Sequence, residues 1–559
     1  MDRNEIITSI KERSPDVLIV GAGINGVGTF RDLALNGVSV LLVDRLDYCS
    51  GASAASSHMA HGGIRYLENG EFRLVREAVQ ERNRMIQNAP HLVRPLPTAI
   101  PIFKIFSGLF NAPLKFLGWL ERPSERGALI IKIGLIFYDI FTRAQKTVPP
   151  HRFFGRKHAL AQFPGLNPGI RYVATYYDGS ILSPERLTLE LVLEAEAEGG
   201  HARSLNYCSL QGAAGDTVEL KDEMTGEVFS ISPRLIINAA GPWIDLANQR
   251  LGITSHYIGG TKGSHLVLHH DELRKAIGDH EIFFENKDGR IVLIFPLGDR
   301  VLIGTSDLPI QKPDEARCTQ QEIDYFLGML ARVFPDIKVD PSQIVFRFSG
   351  VRPLAFTLAK NAGQITRDHH IQQDLLGGIP VFSLVGGKWT SYRAFSEQVT
   401  DRTLEYLGLT RKSATTDLPI GGGRDYPSDQ AAKLKFLDGL ESSTGFPRKR
   451  VENLFRRYGT RASEVSAFMK AEDDAPIAAW QNFTYREIQF MVHREKILHL
   501  DDLLLRRTLL AYLGELSLPL IEEMAAAIGV PLSWDGSRIK SEVMRARTIL
   551  AEKHGVIFN

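Results

Sequence analysis

The sequence predicts an α/β domain of the Rossmann type, a substrate domain built on a mixed or antiparallel sheet, and an all-α C-terminal domain. Three observations lead to this fold class: an apolar strand that opens into a glycine-rich loop, alternating strand patterns in the middle of the chain, and helical periodicity past about residue 420. At 559 residues the chain exceeds what one hydrophobic core usually organises, so two or three domains are expected.

The N-terminal element is a strand, a glycine-rich loop and a helix. The apolar run Val17–Val20 predicts a buried parallel strand, and it opens into GAGING at residues 21–26. Glycines at this spacing allow a tight turn, backbone approach to a pyrophosphate and close helix packing. A second apolar run, Val38–Val43, ends at Asp44, where an acid would meet a ribose hydroxyl. The complete pattern predicts a dinucleotide site rather than a glycine-rich turn without a ligand.

Residues 51–78 predict further ligand contacts. Ser53, Ser56 and Ser57 suit a loop that hydrogen-bonds a pyrophosphate or a ring system, although serine-rich loops are commonly only solvated. The run HGGIRYLENGEFRLVREA joins a glycine pair to Arg65 and to the start of an amphipathic helix. Because this run lies just after the dinucleotide unit, it is predicted to carry substrate chemistry.

The middle of the chain predicts strands, and its end predicts helices. Leu235–Asn238 fits a strand that returns to the nucleotide sheet, and residues 290–307 predict an antiparallel hairpin with its turn at 297–300. Val381–Val385 predicts a strand that leads into GGKWTSYR, where glycines before a helix mark a backbone close to a ligand. Past about residue 420 three long segments have helical periodicity, the second of them spanning residues 485–516.

Residues 99–142 are unusually apolar, and two interpretations stay open. Neither half is an uninterrupted apolar span of the roughly 20 residues that a bilayer crossing needs. The mixture of Phe, Leu, Trp and Lys fits an element that lies in the membrane interface. It fits a helical hairpin packed on the catalytic domain equally well.

Composition narrows the class of protein. Lys and Arg number 66 and Asp and Glu 65, so the near-neutral balance argues against nucleic acid as the principal partner. Cys49, Cys208 and Cys318 are too far apart for a metal cluster or an obvious disulfide framework, so no metal is predicted and a reducing compartment fits best. The N-terminal segment mixes both charges and does not resemble a secretory signal.

Seven motifs follow one another between about residue 15 and residue 550: GAGING, the run from GASAASS to LVREA, KGSH, SGVRPL, ITRDH, GGKWTSYR and DDLLLRRT. The resemblance that they carry is to the FAD-dependent glycerol-3-phosphate dehydrogenases and oxidases, a branch of the D-amino-acid-oxidase-like flavoproteins. It implies a FAD-binding domain, a mixed-sheet substrate domain over the flavin and a helical C-terminal domain. It also implies oxidation of sn-glycerol 3-phosphate to dihydroxyacetone phosphate, with the hydride passing to flavin N5.

The predicted domains follow from this resemblance and from the element patterns. Residues 1–420 form the predicted FAD-dependent oxidoreductase region, and residues 421–559 the helical C-terminal domain. The FAD-binding domain is predicted to be discontinuous, at about 15–90, 150–250 and 345–400, and the substrate domain to occupy about 90–150 and 255–345.

Only one complete dinucleotide fingerprint is present, whereas a pyridine-nucleotide flavoprotein reductase would need two. Electrons are therefore expected to leave FAD for a quinone or for oxygen.

The motifs and the resemblance together predict the site residues. Alongside Arg352, the predicted substrate-binding residues are Arg65, Tyr66, Arg367 and Lys388, because arginine forks match phosphate oxygens. His265 in KGSH is the predicted general base, Arg352 is predicted to stabilise developing alkoxide charge, and the competing histidine, His61, is interpreted as a flavin contact. The predicted cofactor contacts are Gly21, Ala22, Gly23, Asn25, Gly26, Asp44, Arg45, Ser53, Ser56, Ser57, His61, Gly62, Gly63, Ala240, Gly241, Gly387, Lys388 and Thr390.

The predicted activity is FAD-dependent oxidation of sn-glycerol 3-phosphate on the cytoplasmic side of the inner membrane, with peripheral membrane contact and a quinone as acceptor. The alternatives are a longer polyol phosphate such as erythritol phosphate, oxygen as acceptor, and a flavin-binding protein without turnover. A homodimer also stays open. Trp389 stands where the family commonly has a smaller aliphatic residue, which predicts a difference at the polyol end of the pocket.

Overall fold

The computed structural model describes residues 2–64, 71–105, 127–143, 147–285, 291–357 and 368–558. The strands, in chain order, are β1 Val17–Val20, β2 Val40–Val43, β3 Met59–Ala60, β4 Val93–Ile102, β5 Arg152–Gly155, β6 Tyr172–Ile181, β7 Ala202–Leu205, β8 Cys208–Ala214, β9 Thr217–Asp222, β10 Val228–Ile231, β11 Leu235–Asn238, β12 Thr261–Leu268, β13 Glu281–Glu285, β14 Ile291–Leu297, β15 Arg300–Gly304, β16 Leu308–Pro309, β17 Ile344–Arg352, β18 His370–Leu376, β19 Ile379–Val385, β20 Pro476–Ile477 and β21 Trp480–Thr484.

The helices, in the same order, are α1 Arg3–Glu12, α2 Ile24–Leu35, α3 Phe72–Asn88, α4 Ala128–Thr142, α5 Arg156–Gln162, α6 Pro184–Ala197, α7 Ile244–Arg250, α8 Asp271–Ile277, α9 Gln320–Val333, α10 Tyr392–Leu407, α11 Gln430–Thr444, α12 Arg448–Tyr458, α13 Ala462–Lys470, α14 Tyr485–Glu495, α15 Leu500–Asp502, α16 Leu518–Gly529 and α17 Gly536–His554. A π-helical turn, Leu503–Arg507, directly continues α15.

The dinucleotide unit is a six-stranded sheet in the order β18-β19-β11-β1-β2-β7. Its strands are parallel except β18, which runs antiparallel to β19. In the centre of the sheet Leu18 pairs with Leu41 on one side and with Ile236 on the other. Because these strands are buried on both faces, each is a nearly continuous apolar run. The predicted return of Leu235–Asn238 to this sheet is confirmed.

The second sheet is mixed and has ten strands. Its main path is β16-β12-β15-β14-β13-β4-β6-β3, with β17 added beside β12 and β5 beside β6. The predicted hairpin at 290–307 is confirmed as β14 and β15, with Leu297 paired to Arg300 at the turn.

Three strands of this mixed sheet differ from the predicted domain boundaries. β5, β6 and most of β17 lie in the ranges 150–250 and 345–400 that the patterns assign to the FAD-binding domain. However, β6 pairs with β4 along ten residues, and β17 pairs with β12. Alternation of apolar residues indicates a strand but not its partner, so the sequence pattern could not assign these three to the correct sheet.

The C-terminal domain is helical apart from the short hairpin β20-β21. The predicted segment 485–516 is not one helix, because α14 ends at Lys496, whose backbone is left-handed with φ 55°. The Lys496 carbonyl accepts a hydrogen bond from Asn206 Nδ2 at 3.0 Å, and its ammonium reaches Glu196. The break therefore ties the C-terminal domain to the dinucleotide unit. The hydrophobic core of the C-terminal domain continues onto Phe346 and Phe348 of the mixed sheet.

The apolar segment 99–142 is described only in part, since residues 106–126 lie outside the described ranges. Helix α4 buries one face, which includes Ile131, Leu135 and Tyr138. In the described part of the chain, no helix combines the length and the apolar character needed to cross a membrane. The three cysteines are free and buried.

A buried hydrogen-bond network connects α4 to the predicted HGG segment. The Gly62 amide donates to Tyr138 Oη at 2.9 Å and to Asp178 Oδ1 at 3.1 Å. The Tyr138 hydroxyl donates to Asp178, and Arg82 donates to Tyr138 Oη at 2.9 Å. A Cβ at Gly62 would lie 2.4 Å from Tyr138 Oη, so only glycine fits here. The network thus holds the backbone of the glycine pair from behind.

Replacing Tyr138 with phenylalanine should lower the stability of the protein. The change removes a buried hydroxyl from a charged network, which costs about 1–3 kcal/mol and corresponds to a fall in Tm of roughly 1–5 °C. The control is Tyr257→Phe, which removes the hydroxyl that bonds Asp374 at 2.9 Å from a half-buried position. Thermal unfolding measures both variants, and equal shifts in Tm would contradict a special role for Tyr138.

Candidate active site

A cavity of about 2320 Å³ lies between the two large sheets and the C-terminal helices. An ordinary small-molecule pocket has roughly 300–1,000 Å³, so this cavity has room for a dinucleotide together with a substrate. The predicted site residues that line it are Gly21, Gly23, Asn25, Asp44, Arg45, Ser53, Ser56, Ser57, His61, Gly63, Ala240, Gly241, His265, Arg352, Gly387, Lys388 and Thr390.

The other predicted site residues fall into two groups. Ala22, Gly26 and Gly62 lie behind the lining and support it through their backbone. Arg65, Tyr66 and Arg367 lie outside the described residues, so their roles stay predictions.

Glycines allow the backbone segments at the floor of the cavity to approach one another closely. Gly21 has a φ of 107°, and a Cβ there would lie 2.6 Å from the Ala239 carbonyl oxygen. A Cβ at Gly26 would lie 2.0 Å from the Gly21 carbonyl oxygen. Because both neighbours are backbone atoms that cannot rotate away, a side chain at either position would force the loop apart. This geometry explains the glycine spacing of GAGING.

Side chains join three predicted motifs around the same cavity. Asn25 Nδ2 of the glycine loop donates to the Gly386 carbonyl at 3.3 Å. The Thr390 hydroxyl accepts from the His61 amide at 3.0 Å and donates to the His61 carbonyl at 3.1 Å. Segments more than 300 residues apart in sequence therefore form one continuous wall.

Trp389 lines the cavity, and its effect on the polyol end of the pocket stays a prediction. Its indole is buried, and Nε1 donates to the Ser53 carbonyl at 2.9 Å. Ser53 in turn accepts a hydrogen bond on Oγ from the Ile24 amide, at the N-terminus of α2. Trp389 thus supports the serine loop of the nucleotide half, and its indole nitrogen is directed there rather than toward a polyol.

Asp44 ends β2 as predicted, and its carboxylate faces the glycine loop. Oδ2 accepts from the Ala22 amide at 2.7 Å, and Oδ1 accepts from the Leu46 amide at 2.9 Å. Burial raises the pKa of this carboxyl to about 6, although both amides act to lower it. The neighbouring Arg45 pairs with Asp314 at 2.5 Å, so it links the nucleotide side of the cavity to the mixed-sheet side.

His265 lies in the middle of β12 and is fully buried. Its ring stacks on Phe348 with centroids 4.8 Å apart, and its Nε2 shares a hydrogen bond with Ser57 Oγ at 2.8 Å. Nδ1 has no hydrogen-bond partner in the described part of the chain. Burial, followed by the nearby positive charge of Arg352, lowers the pKa of His265 to about 3. The imidazole is therefore neutral at pH 7.

Arg352 ends β17, the strand that pairs with β12, and its register partner there is Thr261. Its guanidinium donates to Thr305 Oγ1 at 2.9 Å and pairs with Asp307 at 3.1 Å. Two glycines make room for the pair: a Cβ at Gly263 would lie 2.3 Å from Arg352 Nη2, and a Cβ at Gly304 would lie 2.1 Å from the His265 ring. Gly263 is the glycine of KGSH, so that motif supplies both a histidine and the space for its neighbour.

Sequence reasoning missed several residues of the substrate side. Gly304 and Thr305 follow a strand in IGTSD, and a glycine at a strand end was the available signal. Glu322 gave no local signal, yet its buried carboxylate holds Lys262, Ser264 and Ser306, at 2.7, 2.8 and 2.5 Å. Other residues that line the cavity on this side include Tyr176, Asp178, Phe283, Ile291 and Leu293.

The cavity suits FAD on the chemistry of its donors. Backbone amides at the N-terminus of α2 face the glycine loop, and one of them now bonds a serine oxygen where a phosphate oxygen could bind. Asp44 and the serine loop supply acceptors and donors for ribose and pyrophosphate, and the lining extends without interruption to His265. These residues therefore suit a dinucleotide that reaches from the glycine loop to β12.

Two family models and several curated proteins match the chain. Residues 16–382 match a family described as FAD dependent oxidoreductase, and residues 413–539 match the C-terminal domain of alpha-glycerophosphate oxidase. The glycerol-3-phosphate dehydrogenase of Synechocystis sp. is 34% identical over 528 residues, which cover 90% of both chains. The D-erythritol 1-phosphate dehydrogenase of Brucella abortus is 29% identical over 502 residues, which cover 88% of this chain and 94% of that relative.

A solved structure has the same fold. The FAD-complexed glycerol-3-phosphate dehydrogenase of Bacillus halodurans aligns with a TM-score of 0.75 at 23% identity, and the match covers 98% of this chain and 97% of that chain. The predicted fold class, a Rossmann-type FAD-binding domain with a mixed-sheet domain and a helical C-terminal domain, is thereby confirmed. The chain belongs to the FAD-dependent oxidoreductases and is an enzyme with FAD as its cofactor.

Proposed function

We propose that this enzyme oxidises sn-glycerol 3-phosphate to dihydroxyacetone phosphate and passes the electrons to a membrane quinone. One observation carries the proposal: His265 and Arg352 lie on the paired strands β12 and β17, and both line the cofactor cavity. The Synechocystis relative, whose name gives glycerol 3-phosphate as the substrate, supports the choice of alcohol. Bound FAD supplies the hydride acceptor for the alcohol carbon.

We assign to His265 the role of general base, which removes the proton from the reacting hydroxyl. Its imidazole is neutral, and the hydrogen bond to Ser57 and the stacking on Phe348 fix its orientation. Arg352 contributes to the low pKa of His265. A dianionic phosphate bound near Arg352 would offset this positive charge and raise the pKa of His265. Substrate binding would therefore make the histidine a stronger base at the moment it is needed.

Arg352 and Lys388 are assigned to the phosphate and to the developing charge on oxygen. Lys388 follows Gly386 and Gly387, whose φ values of 80° and 92° turn the backbone sharply at the end of β19. Both cations line the cavity, so a substrate with about two negative charges would find partners there. We assign Arg65, Tyr66 and Arg367 to the same substrate on their motifs alone.

A longer polyol phosphate is the second candidate substrate. The Brucella abortus relative is named for erythritol 1-phosphate and matches almost the same share of the chain. The cavity lining also includes the apolar side chains of Phe283, Ile291 and Leu293, whose size would limit the length of the alcohol.

Contact with the membrane would bring the enzyme to a lipid-soluble acceptor. The outer face of α4 carries five large apolar side chains that are 39–58% exposed: Leu129, Ile133, Ile136, Phe137 and Ile140. Their spacing places them on one side of the helix, opposite the buried Ile131, Leu135 and Tyr138. Such a helix fits into the interface of a bilayer rather than across it. We propose peripheral contact of this helix with the cytoplasmic face of the inner membrane.

Anaerobic mixing with candidate substrates tests the proposed activity. The flavin absorbance should bleach with sn-glycerol 3-phosphate, more slowly with erythritol 1-phosphate, and not with glycerol at the same concentration, because glycerol lacks the phosphate. Faster bleaching by erythritol 1-phosphate would transfer the assignment to the longer alcohol. Absence of bleaching by both phosphates would contradict the proposed function.

Replacing His265 with alanine should slow flavin reduction by about a hundredfold or more, the usual contribution of a general base. His370→Ala, at an exposed position, is the control. Because a pKa of about 3 keeps His265 neutral from pH 5 to pH 8 in the enzyme without substrate, the second-order rate constant of flavin reduction at low substrate should be unaffected by its protonation in that range. An acid limb near pH 6.5 in that rate constant, absent from the His265→Ala variant, would be evidence against this charge state.

Serine substitution of Ile133, Ile136, Phe137 and Ile140 should release the protein from phosphatidylglycerol-containing vesicles. In the bound state these four apolar side chains would be buried in the bilayer. Their burial would contribute enough free energy to change the affinity of the protein for vesicles at least tenfold. The control replaces Val530, Met544 and Ile557, which are 71–75% exposed on the C-terminal domain, with serine. Sedimentation with vesicles measures binding, and undiminished binding of the α4 variant would place the membrane contact elsewhere.

A further inference from the structure

The motif DDLLLRRT, residues 501–508, joins the C-terminal domain to a single acid of the FAD-binding domain. Arg507 donates from Nη1 and Nη2 to the two carboxylate oxygens of Asp47, at 2.7 and 3.1 Å. Arg506 Nε donates to the same carboxylate at 2.7 Å. Arg506 Nη2 also donates to Asp501 at 3.0 Å and to Asp502 at 2.5 Å. Asp47, Asp501, Asp502, Arg506 and Arg507 together form an ionic hub.

The ionic hub is buried, so its geometry is strongly constrained. The Asp47, Asp502 and Arg507 side chains are at most 1% exposed. Burial disfavours the charged form of Asp47, but Arg507 and Arg506 outweigh it and lower the pKa of Asp47 to about 2. Removal of one partner from such a cluster leaves an uncompensated buried charge. The carboxylate of Asp47 therefore cannot move without breaking the cluster.

Asp47 belongs to a turn that borders the cofactor cavity. The turn 44–48 follows β2, and the turn 205–208 follows β7; together they are called the adenosine-side turns. Backbone hydrogen bonds connect them, from the Cys208 amide to the Asp44 carbonyl at 2.7 Å and from the Tyr207 amide to the Leu46 carbonyl at 3.0 Å. In dinucleotide-binding folds the acid at the end of the second strand meets the adenosine ribose.

The ionic hub is bonded to both turns. Its members Asp47, Asp502 and Arg507 lie behind the cavity lining, whereas Asp501 and Arg506 belong to it. Asp44 lines the cavity, whereas Asp47, three residues later, is directed into the C-terminal domain. On the other turn, Tyr207 has a left-handed backbone with φ 51°, and its hydroxyl donates to Asp502 at 2.6 Å. The first turn thus contributes Asp47 to the hub, the second bonds to the hub through Tyr207, and residues of both turns line the cavity.

We propose that the ionic hub positions the adenosine-side turns and thereby sets how tightly the enzyme retains FAD. Asp47, Asp502 and Arg507 act as positioning residues, because Asp44 and the turn backbone are the groups that face the cofactor. The C-terminal domain, which is distant in sequence from the glycine loop, is in this way part of the FAD site. The proposal depends on the cofactor of the family and not on the substrate proposed above, so it can fail or hold independently.

The test is the rate of FAD release from the purified holoenzyme after dilution, followed as the rise in flavin fluorescence. Arg507→Lys keeps the charge but loses the forked contact with Asp47. It should release FAD about tenfold faster or more. The matched control is Arg186→Lys, which weakens another buried contact between the same domains, the two-point pair with Glu495 at 2.7 and 3.0 Å. Arg186 also donates to the Arg507 carbonyl at 3.3 Å, but it touches neither turn and leaves the fork between Arg507 and Asp47 in place.

Both lysine variants should lower Tm to a similar extent, and only Arg507→Lys should release FAD faster. A second variant, Tyr207→Phe, removes the hydroxyl from Asp502 and keeps the ring against His499, 4.7 Å away. It should release FAD roughly two- to tenfold faster, and it decides the question if Arg507→Lys is insoluble. Equal release rates for Arg507→Lys and Arg186→Lys would show general loosening of the domains and overturn the proposal. Wild-type release from Tyr207→Phe would also overturn it.

Discussion

The close approach of backbone to backbone at the floor of the cavity is the constraint on which the site depends. Gly21 contacts the segment after β11, Gly26 contacts Gly21, and Gly387 lies where a Cβ would be 2.4 Å from Asn25 Nδ2. These contacts bring together the segments that follow β1, β11 and β19, which are far apart in the sequence. Because parallel strands present their carboxyl ends at one edge, the loops that follow them can form one binding surface. Without the glycines the loops would be too far apart to share a ligand.

The substrate half uses the same principle for side chains rather than for backbone. Gly263 and Gly304 leave space on the mixed sheet, and Arg352 and His265 occupy it. Strand pairing then fixes the positions of the two functional groups, because β12 lies between β15 and β17. A catalytic pair on neighbouring strands is held more rigidly than one on loops. The serine loop contributes through Ser57, which connects the histidine to the nucleotide half.

Much of the nucleotide half could be predicted from sequence because its physics is local. Buried parallel strands are apolar runs, and the glycine spacing follows from backbone contacts within a few residues. Pairings across the chain had no such signal. β6 alternates as any strand does, Lys496 adopts a left-handed backbone without a glycine, and the indole of Trp389 reaches Ser53 instead of a substrate. The charged residues of DDLLLRRT are equally compatible with an exposed helix face. Only the fold shows that Arg506 and Arg507 are buried and paired with Asp47.

The distance in sequence between Asp47 and Arg507 also has a consequence for biosynthesis. The two residues are 460 positions apart. At about 5–20 residues per second, a ribosome needs roughly 20–90 s to make the chain between them. During that time the dinucleotide sheet can assemble while the Asp47 carboxylate still lacks its guanidinium partners. Because burial of an unpaired carboxylate is costly, Asp47 has to stay in contact with water until Arg506 and Arg507 are made. The last stretch of synthesis therefore completes a contact of the first domain, and truncated nascent chains differ from the finished enzyme at its cofactor end.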